Sequence, residues 1–378
     1  MTWSQSLSGD GGTIFLSNSK DDLSKETDAG ETVIDKVAWG QGKENYLRGE
    51  TKEFTPAPSA GQSIERKANL NSDAESMVKG GADEFLGNGW DTDDNSADFV
   101  LQATPNPQNS ASMAEPVPTP VHNITNGLDY PSIQWAIDSA SAGDKIWVDS
   151  GTYYENVNIN KQLTLEGIDT GGGKPVVDAK GKGSAITLSA GNSVIDGFVV
   201  TSSFSNELNV GINIISGNNT IKNNKAELNC IGIKLFSARN NNISANEIVN
   251  NMNYGIYFSF SDGNVLSDNI MRNQLIGPGV YFYSSANNKI YHNNFVGNSS
   301  LTAPTAGFNN YQASVYSGVG NIFDNDYSSG GNYWSDYKGV DLYGGIIQDQ
   351  SGSDGIGDTP YIILGGEEGV QDRYPLMQ

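Results

Sequence analysis

Along residues 186–298 apolar and polar positions alternate in runs of three to five residues, each run broken by Asn or Gly. Alternation with period two means strands with one buried face. Two patterns interleave. Asn-x-(Ile/Val/Leu/Phe)-x-x-(Asn/Gly/Asp) starts at Asn192, Asn219, Asn241, Asn264, Asn288 and Asn321, with middle spacings of 22, 23 and 24. Between them lie Gly211-Ile212-Asn213-Ile214, Gly232-Ile233-Lys234-Leu235, Gly255-Ile256-Tyr257-Phe258 and Gly279-Val280-Tyr281-Phe282, spaced by 21, 23 and 24. Two patterns in step over four periods are a repeat, and a repeat decides the architecture before anything else.

Runs this short cannot form a free-standing sheet. Stacked on copies of themselves, they bury one continuous core and satisfy their backbone groups with the coils above and below. Asn tolerates the left-handed conformation at corners, and Asn stacked on Asn forms amide ladders. The 23 Asn between Asn206 and Asn298 fit such ladders. The predicted fold class is all-β: a right-handed parallel β-helix of about eight coils, with roughly 4.8 Å per coil. A leucine-rich horseshoe lacks its Leu frame here, and a propeller needs a longer period. An open stack needs a cap. Tyr130 to Ala140 supplies one: Ile133, Ala136, Ile137 and Ala140 share a helix face, Pro131 suits its first turn, and Gly143-Asp144 ends it.

Composition sharpens the picture. Of 378 residues, 45 are Gly, only 17% are charged, and the net charge is -22. That excess repels phosphate backbones and anionic lipid, so no nucleic acid is expected as a partner. The single Cys230 excludes a disulfide framework, and with only His122 and His292 a Cys/His zinc site is excluded too. A structural metal would need oxygen ligands, Ca²⁺ first. No run of 18 apolar residues exists, so no transmembrane segment is expected. Residues 104–122 hold five prolines and read as a linker between residues 1–103 and 123–378.

Two resemblances follow. Ser132-Ile133-Gln134-x-Ala136-Ile137 through Gly143-Asp144-x-Ile146-x-Val148-x-x-Gly151-Thr152-Tyr153-x-Glu155-Asn156-Val157 resembles the entry of pectin-lyase-like β-helices. Gly331-Asn332-Tyr333-Trp334-Ser335-Asp336-Tyr337, Asp354-Gly355-Ile356-Gly357-Asp358-Thr359-Pro360-Tyr361 and Asp372-Arg373-Tyr374-Pro375-Leu376 lie in a closing segment, residues 327–378. Residues 123–378 thus resemble the periplasmic copper-processing family NosD and its surface β-helix relatives in methanogenic archaea. Residues 1–103 resemble the later part of a lamin-tail domain, an immunoglobulin-like β-sandwich. The residues are Ile34-Asp35-Lys36-Val37-Ala38-Trp39-Gly40, Pro58 to Arg66, and Gly89-Trp90-Asp91 to Phe99. The family's opening strands have no counterpart, so the sandwich is read as N-terminally truncated, and an export signal is expected in the missing part.

Candidate chemistry is sparse. Arg239, Asp262, Asp268, Arg272 and His292 stand singly in the repeat, without the paired carboxylates of a glycosidase, and read as solvated surface groups. Copper implies soft donors, and one Cys, two His and six Met do not cluster. Asp91-x-Asp93-x-Asn95-x-x-Asp98 has the alternate oxygen spacing of a Ca²⁺ loop, and Asp349, Asp354 and Asp358 resemble Asp-Gly calcium turns; ordinary Asx-turns are the plainer reading. Strand parity turns Lys234, Tyr257 and Tyr281 outward on successive coils, with Phe236 and Tyr283 two residues on. Such a strip can stack on sugar rings, or be a decorated sheet face. Asn-x-Ser/Thr sequons stand at Asn123, Asn218, Asn242 and Asn298. The expectation is a non-catalytic extracellular or cell-surface protein for adhesion, envelope structure or carbohydrate contact, with glycans or envelope proteins as partners. A polysaccharide lyase or hydrolase is the alternative, and copper handling the third.

Overall fold

The computed structural model describes residues 11–17, 33–40, 57–59, 61–78, 81, 83, 89–90, 92, 94–103, 119–201, 210–298, 311–363, 365 and 369–377. The chain divides into two compact units, Met1–Pro118 and Thr119–Gln378.

In the N-terminal unit, strand Gly11–Ser17 pairs antiparallel with Val33–Gly40, and Ser63–Arg66 pairs antiparallel with Phe99–Gln102. Phe99 is buried against Ile64, Leu101, Val37 and Ala57, with the Arg66 guanidinium 4.7 Å over its ring. The described residues thus hold two two-stranded sheets, with Val37 of the first packed against Phe99 of the second; the remaining strands of the expected sandwich fall outside the described residues.

In the second unit the expected stack forms. Its second sheet holds eight parallel strands, from Thr152–Tyr153 to Tyr333–Trp334, and its third holds seven, from Val157–Ile159 to Ala313–Val315. The first sheet starts antiparallel. Strand Val121–Asn123 lies between Leu128–Tyr130 and Lys145–Val148, and parallel strands then follow to Lys289–Tyr291. That opening strand takes in residues 121 and 122, read above as linker.

The parity of each strand buries every second side chain. Ile212, Ile233, Ile256 and Val280 align across coils, as do Ile214, Leu235, Phe258 and Phe282, and all are fully buried. Phe258 stacks on Phe282 at 4.5 Å, and Phe295 on Trp334 at 4.3 Å. Each such side chain contributes about 1.5–3 kcal/mol.

The corners repeat one device: a residue in the left-handed conformation, then a buried amide. Asn223, Ala245, Asp268 and His292 have φ of 53–59° and precede Asn224, Asn246, Asn269 and Asn293. The Asn224 backbone N–H and Nδ2 both donate to Asn246 Oδ1, Asn246 does the same to Asn269, and so on to Asn293 and Asn332. A second ladder runs Asn219, Asn241, Asn264, Asn288, Asn321, and a third Asn229, Asn251, Gln274, Asn298, Gln312. This explains Asn-Asn pairs such as Asn223-Asn224 and Asn250-Asn251: the first tolerates positive φ, the second joins the ladder. At Asn192 the expected register is off by one. Asn192 holds the left-handed position (φ 57°), and Ser193 takes the ladder place, donating its N–H to Asn219 Oδ1.

Helix Ile133–Ser139 closes the base, N-capped by Ser132 rather than led by Pro131. Glu155 accepts from the N–H groups of Ile133 and Gln134, and Lys161 Nζ donates to the carbonyls of Asp138 and Ala140. Both helix ends are thus satisfied by opposite charges from the first coil. At the other end, Trp334 stacks between Phe295 and Tyr361, and the Arg373 guanidinium grips Asp324 through Nε (2.9 Å) and Nη2 (2.6 Å). With both ends covered, residues 119–378 expressed alone should unfold cooperatively from a β-type circular dichroism spectrum; a mainly helical spectrum would contradict it.

Candidate functional site

The third sheet presents the residues singled out above. Asn213, Lys234, Tyr257, Tyr281 and Ser314 fall in one outward register across five coils, and Phe236, Ser259 and Tyr283 in the row two residues on. Tyr257 and Tyr281 lie 5.6 Å apart. The exposure differs from expectation, however. Tyr254, one residue before its Gly-Ile strand pattern, stacks on Tyr281 at 5.0 Å and lies 5.3 Å from Tyr257. Tyr281 is therefore only 9% exposed, and its burial raises the phenol above its ordinary value. Beneath the lower end, Val210, Cys230 and Ile231 form a small apolar cluster with Tyr254 and Tyr257, outside the main core.

The open aromatic surface is the neighbouring row at the strand ends. Phe236 is 46% exposed, Phe260 48% and Tyr316 61%. The rings run in series: Phe236 edge-on to Phe260 at 6.3 Å, Phe260 edge-on to Tyr283 at 5.5 Å, and Tyr283 stacked on Tyr316 at 5.5 Å. Phe260 holds a left-handed backbone (φ 50°) where neighbouring coils place Ser237 and Ser284. A bulky aromatic at positive φ is a steric outlier that the surrounding structure must impose. Here it is imposed on a ring that points to solvent rather than to the core. The Lys234 ammonium lies 5.9 Å from the Phe236 ring and has no carboxylate partner among the described residues. By contrast, Lys222 pairs with Asp196 at 3.2 Å, Lys225 with Glu227 at 2.6 Å, and Arg272 with Glu247 at 2.5 Å.

The carboxylates read as calcium ligands sit elsewhere. Asp91 and Asp93 lie outside the described residues. Asn95 and Asp98 are buried; Asp98 accepts from the Thr92 N–H and hydroxyl, and from the Asp94 N–H. Asp349 is exposed. Asp354 accepts from the N–H groups of Gly345 and Ile356, and Asp358 from those of Leu342 and Tyr343. Asp341 takes the N–H groups of Asp354 and Gly355, which holds its carboxyl below the usual range although burial opposes this. The Asp354–Ile356 contact is an Asx-turn, and the others join each carboxyl to backbone N–H groups further away along the chain. No three His, Cys, Asp or Glu among the described residues are grouped to hold a metal ion.

The singly placed residues of the repeat are mostly tied to neighbours. Arg239 pairs with Asp262 at 3.2 Å. His292 Nε2 lies 2.9 Å from the Ser329 carbonyl, with Asp268 3.8 Å from its Nδ1. His122 bridges Asp129 (2.7 Å) and Asp149 (3.1 Å), and these partners raise its pKa although burial opposes them. Among the described residues, no helix is long and apolar enough to cross a membrane.

Residues 137–339, more than half the chain, match the family described as periplasmic copper-binding protein (NosD). The chain belongs to the NosD family. Copper prefers soft thiolate, thioether and imidazole donors. In this NosD member Cys230 is buried and accepts from Asn253 Nδ2, Met271 lies in the core, and each imidazole is engaged as above. Among the described residues, these donors do not fit a copper site. A cell surface glycoprotein of Methanothermus fervidus is 30% identical over 57% of this chain. The chain spans about half the length of that relative, 52%. The periplasmic alginate epimerase AlgG superposes with a TM-score of 0.32 and 19% identity, covering 47% of this chain and 46% of its own. The catalytic domain of an alpha-1,3-glucanase in complex with nigerose gives 0.36 and 16%, covering 66% and 52%.

Proposed function

We propose that this NosD-family chain is a non-catalytic extracellular or cell-surface protein whose third sheet makes weak contacts with carbohydrate. Phe260 carries the reading: an exposed aromatic held at positive φ, in series with Phe236, Tyr283 and Tyr316. Flat rings in a row offer stacking surfaces to sugar faces, and Lys234 at the edge adds a cation for a polar or acidic substituent. The surface location is supported by the family's periplasmic description and by the cell surface relative. Against hydrolysis or lyase chemistry, several outward carboxylates of the first and second sheets are held in ion pairs between coils: Glu166 with Lys145, Asp196 with Lys222 and Glu247 with Arg272. Acid/base catalysis on sugars needs two carboxyl groups facing one bond.

Each ring is worth about 0.5–1.5 kcal/mol, by analogy with aromatic pairs. Two or three such contacts give millimolar to high-micromolar affinity after association costs, which suits multivalent display. A glycan array probed with multimerised protein should therefore show binding. Phe260→Ala and Tyr316→Ala should each weaken it by about two- to tenfold. Binding unchanged in the double variant would remove the site, and release of reducing or unsaturated ends from a polysaccharide would overturn the non-catalytic reading.

A further inference from the structure

Four sequons look alike in sequence, and the fold separates them two and two. Asn123 is fully buried: its Nδ2 donates to Asp144 (2.8 Å), and its Oδ1 accepts from the N–H groups of Thr125 and Asn126. Asn298 is also fully buried, a member of the third amide ladder, with Nδ2 donating to Met271 O (2.6 Å) and Gln312 Oε1 (3.0 Å). Asn218 and Asn242 are exposed, and neither carboxamide makes a hydrogen bond among the described residues. Asn218 occupies the left-handed corner position (φ 59°), so its neighbour Asn219 points into the ladder while Asn218 stays outside. Asn242 begins strand Asn242–Ser244 and faces outward, since Ile243 beside it is fully buried. The two sites lie on adjacent coils, because Thr220 of the first sequon is the register partner of Asn242.

We propose that Asn218 and Asn242 are N-glycosylation sites and that Asn123 and Asn298 are not. In the reaction, the side-chain nitrogen forms a bond to the anomeric carbon of a lipid-linked oligosaccharide. The bond from that carbon to the donor phosphate breaks, the lipid phosphate leaves with its electron pair, and the nitrogen loses one proton. The assignment holds whether transfer precedes or follows folding. A sugar on Asn298 Nδ2 would occupy the space of the Gln312 and Met271 contacts and break the third ladder, and one on Asn123 would displace the Asp144 carboxylate. A sugar on Asn218 or Asn242 projects from the first sheet into solvent. The glycans then lie at the start of the first sheet, across the corner from the aromatic row at the edge of the third.

The test is glycopeptide mass mapping of the folded, secreted full chain. The host is an N-glycosylating one in which the Ala111→Thr variant, which completes a sequon at Asn109, is modified there. Glycans at Asn218 and Asn242, with Asn123 and Asn298 bare, are expected. Asn218→Gln and Asn242→Gln should each remove one glycan mass and leave the circular dichroism spectrum unchanged. A glycan on Asn123 or Asn298 in protein that keeps its β-type spectrum, or a bare Asn218 or Asn242, overturns the assignment.

Discussion

Asn246→Ala should destabilise the β-helix by about 3–5 kcal/mol, whereas Asn242→Ala, four residues earlier, should change stability by less than about 0.5 kcal/mol. The Asn246 side chain is 2% exposed as a whole residue and works in two directions. Its Oδ1 accepts from the backbone N–H and Nδ2 of Asn224, at 2.9 and 3.1 Å. Its Nδ2 donates to the carbonyls of Ile221 and Ser244 and to Asn269 Oδ1. Truncation leaves two buried donors on the coil below and buried carbonyls without partners, and each orphaned group costs about 1–3 kcal/mol. Because each coil touches only its neighbours, the damage weakens both interfaces of that coil. Asn242 faces solvent and joins no ladder. Urea denaturation of both variants beside the parent measures the difference. A cost under about 1 kcal/mol at Asn246 would mean that the ladder adds no more than ordinary corner residues do.

The same contrast shows what the sequence reveals. Strand parity identifies the inward Ile, Phe and Leu positions, because a period of two admits one assignment wherever one face is buried. It also finds the outward row of Lys234, Tyr257 and Tyr281. Parity does not say what covers an outward ring. Tyr281 is buried by Tyr254, which precedes its strand pattern and was not singled out. Phe260 was missed for a related reason: it sits just past its strand, where a reading of strands sees only a corner. Tyr316 lies 33 residues after Tyr283, a longer interval than the 21 to 24 residues of the repeat, and so falls out of step. The ladder at Asn219 was visible as a spaced motif. The other two, through Asn246 and Asn251, are legible only as an abundance of Asn: Asn332 falls out of step, 39 residues after Asn293, in the first, and Gln274 and Gln312 break the spelling of the second. The carboxylates of the closing segment are legible only as a spacing. It resembles calcium turns, and in the structure Asp354 and Asp358 accept from backbone N–H groups.

Asp372 should make the β-helix less stable as pH rises from about 4.5 to 7.5, by an amount on the order of 3 kcal/mol. This carboxyl ends the ladder through Asn246: the Asn332 N–H and Nδ2 donate to its Oδ2, at 2.7 and 3.2 Å, as does Trp334 Nε1 at 2.9 Å. Oδ1 accepts from the Tyr374 N–H, and a Cβ at Gly331 would overlap this oxygen, which explains the glycine of the Gly331-Asn332 pair. The surroundings offer donors alone, which favours the ionised form. Full burial disfavours it more strongly, and the carboxyl is pushed up to about 7. The folded state therefore binds the proton more tightly than the unfolded chain, where the group titrates near its ordinary 3.8. The stabilisation is fully present below about pH 4 and is lost as pH rises through about 7. His122, whose value is also raised, has the same sign, and the mounting negative charge of the chain adds to it. Asp372→Asn separates these contributions. Its carboxamide oxygen can accept the ladder bonds, while its nitrogen forfeits the Tyr374 contact by a constant amount at every pH. Denaturant unfolding of parent and variant at several pH values should show their stability difference moving toward the variant by several kcal/mol across this window. Parallel curves would mean that Asp372 stays ionised in its buried site, with its four donors outweighing burial.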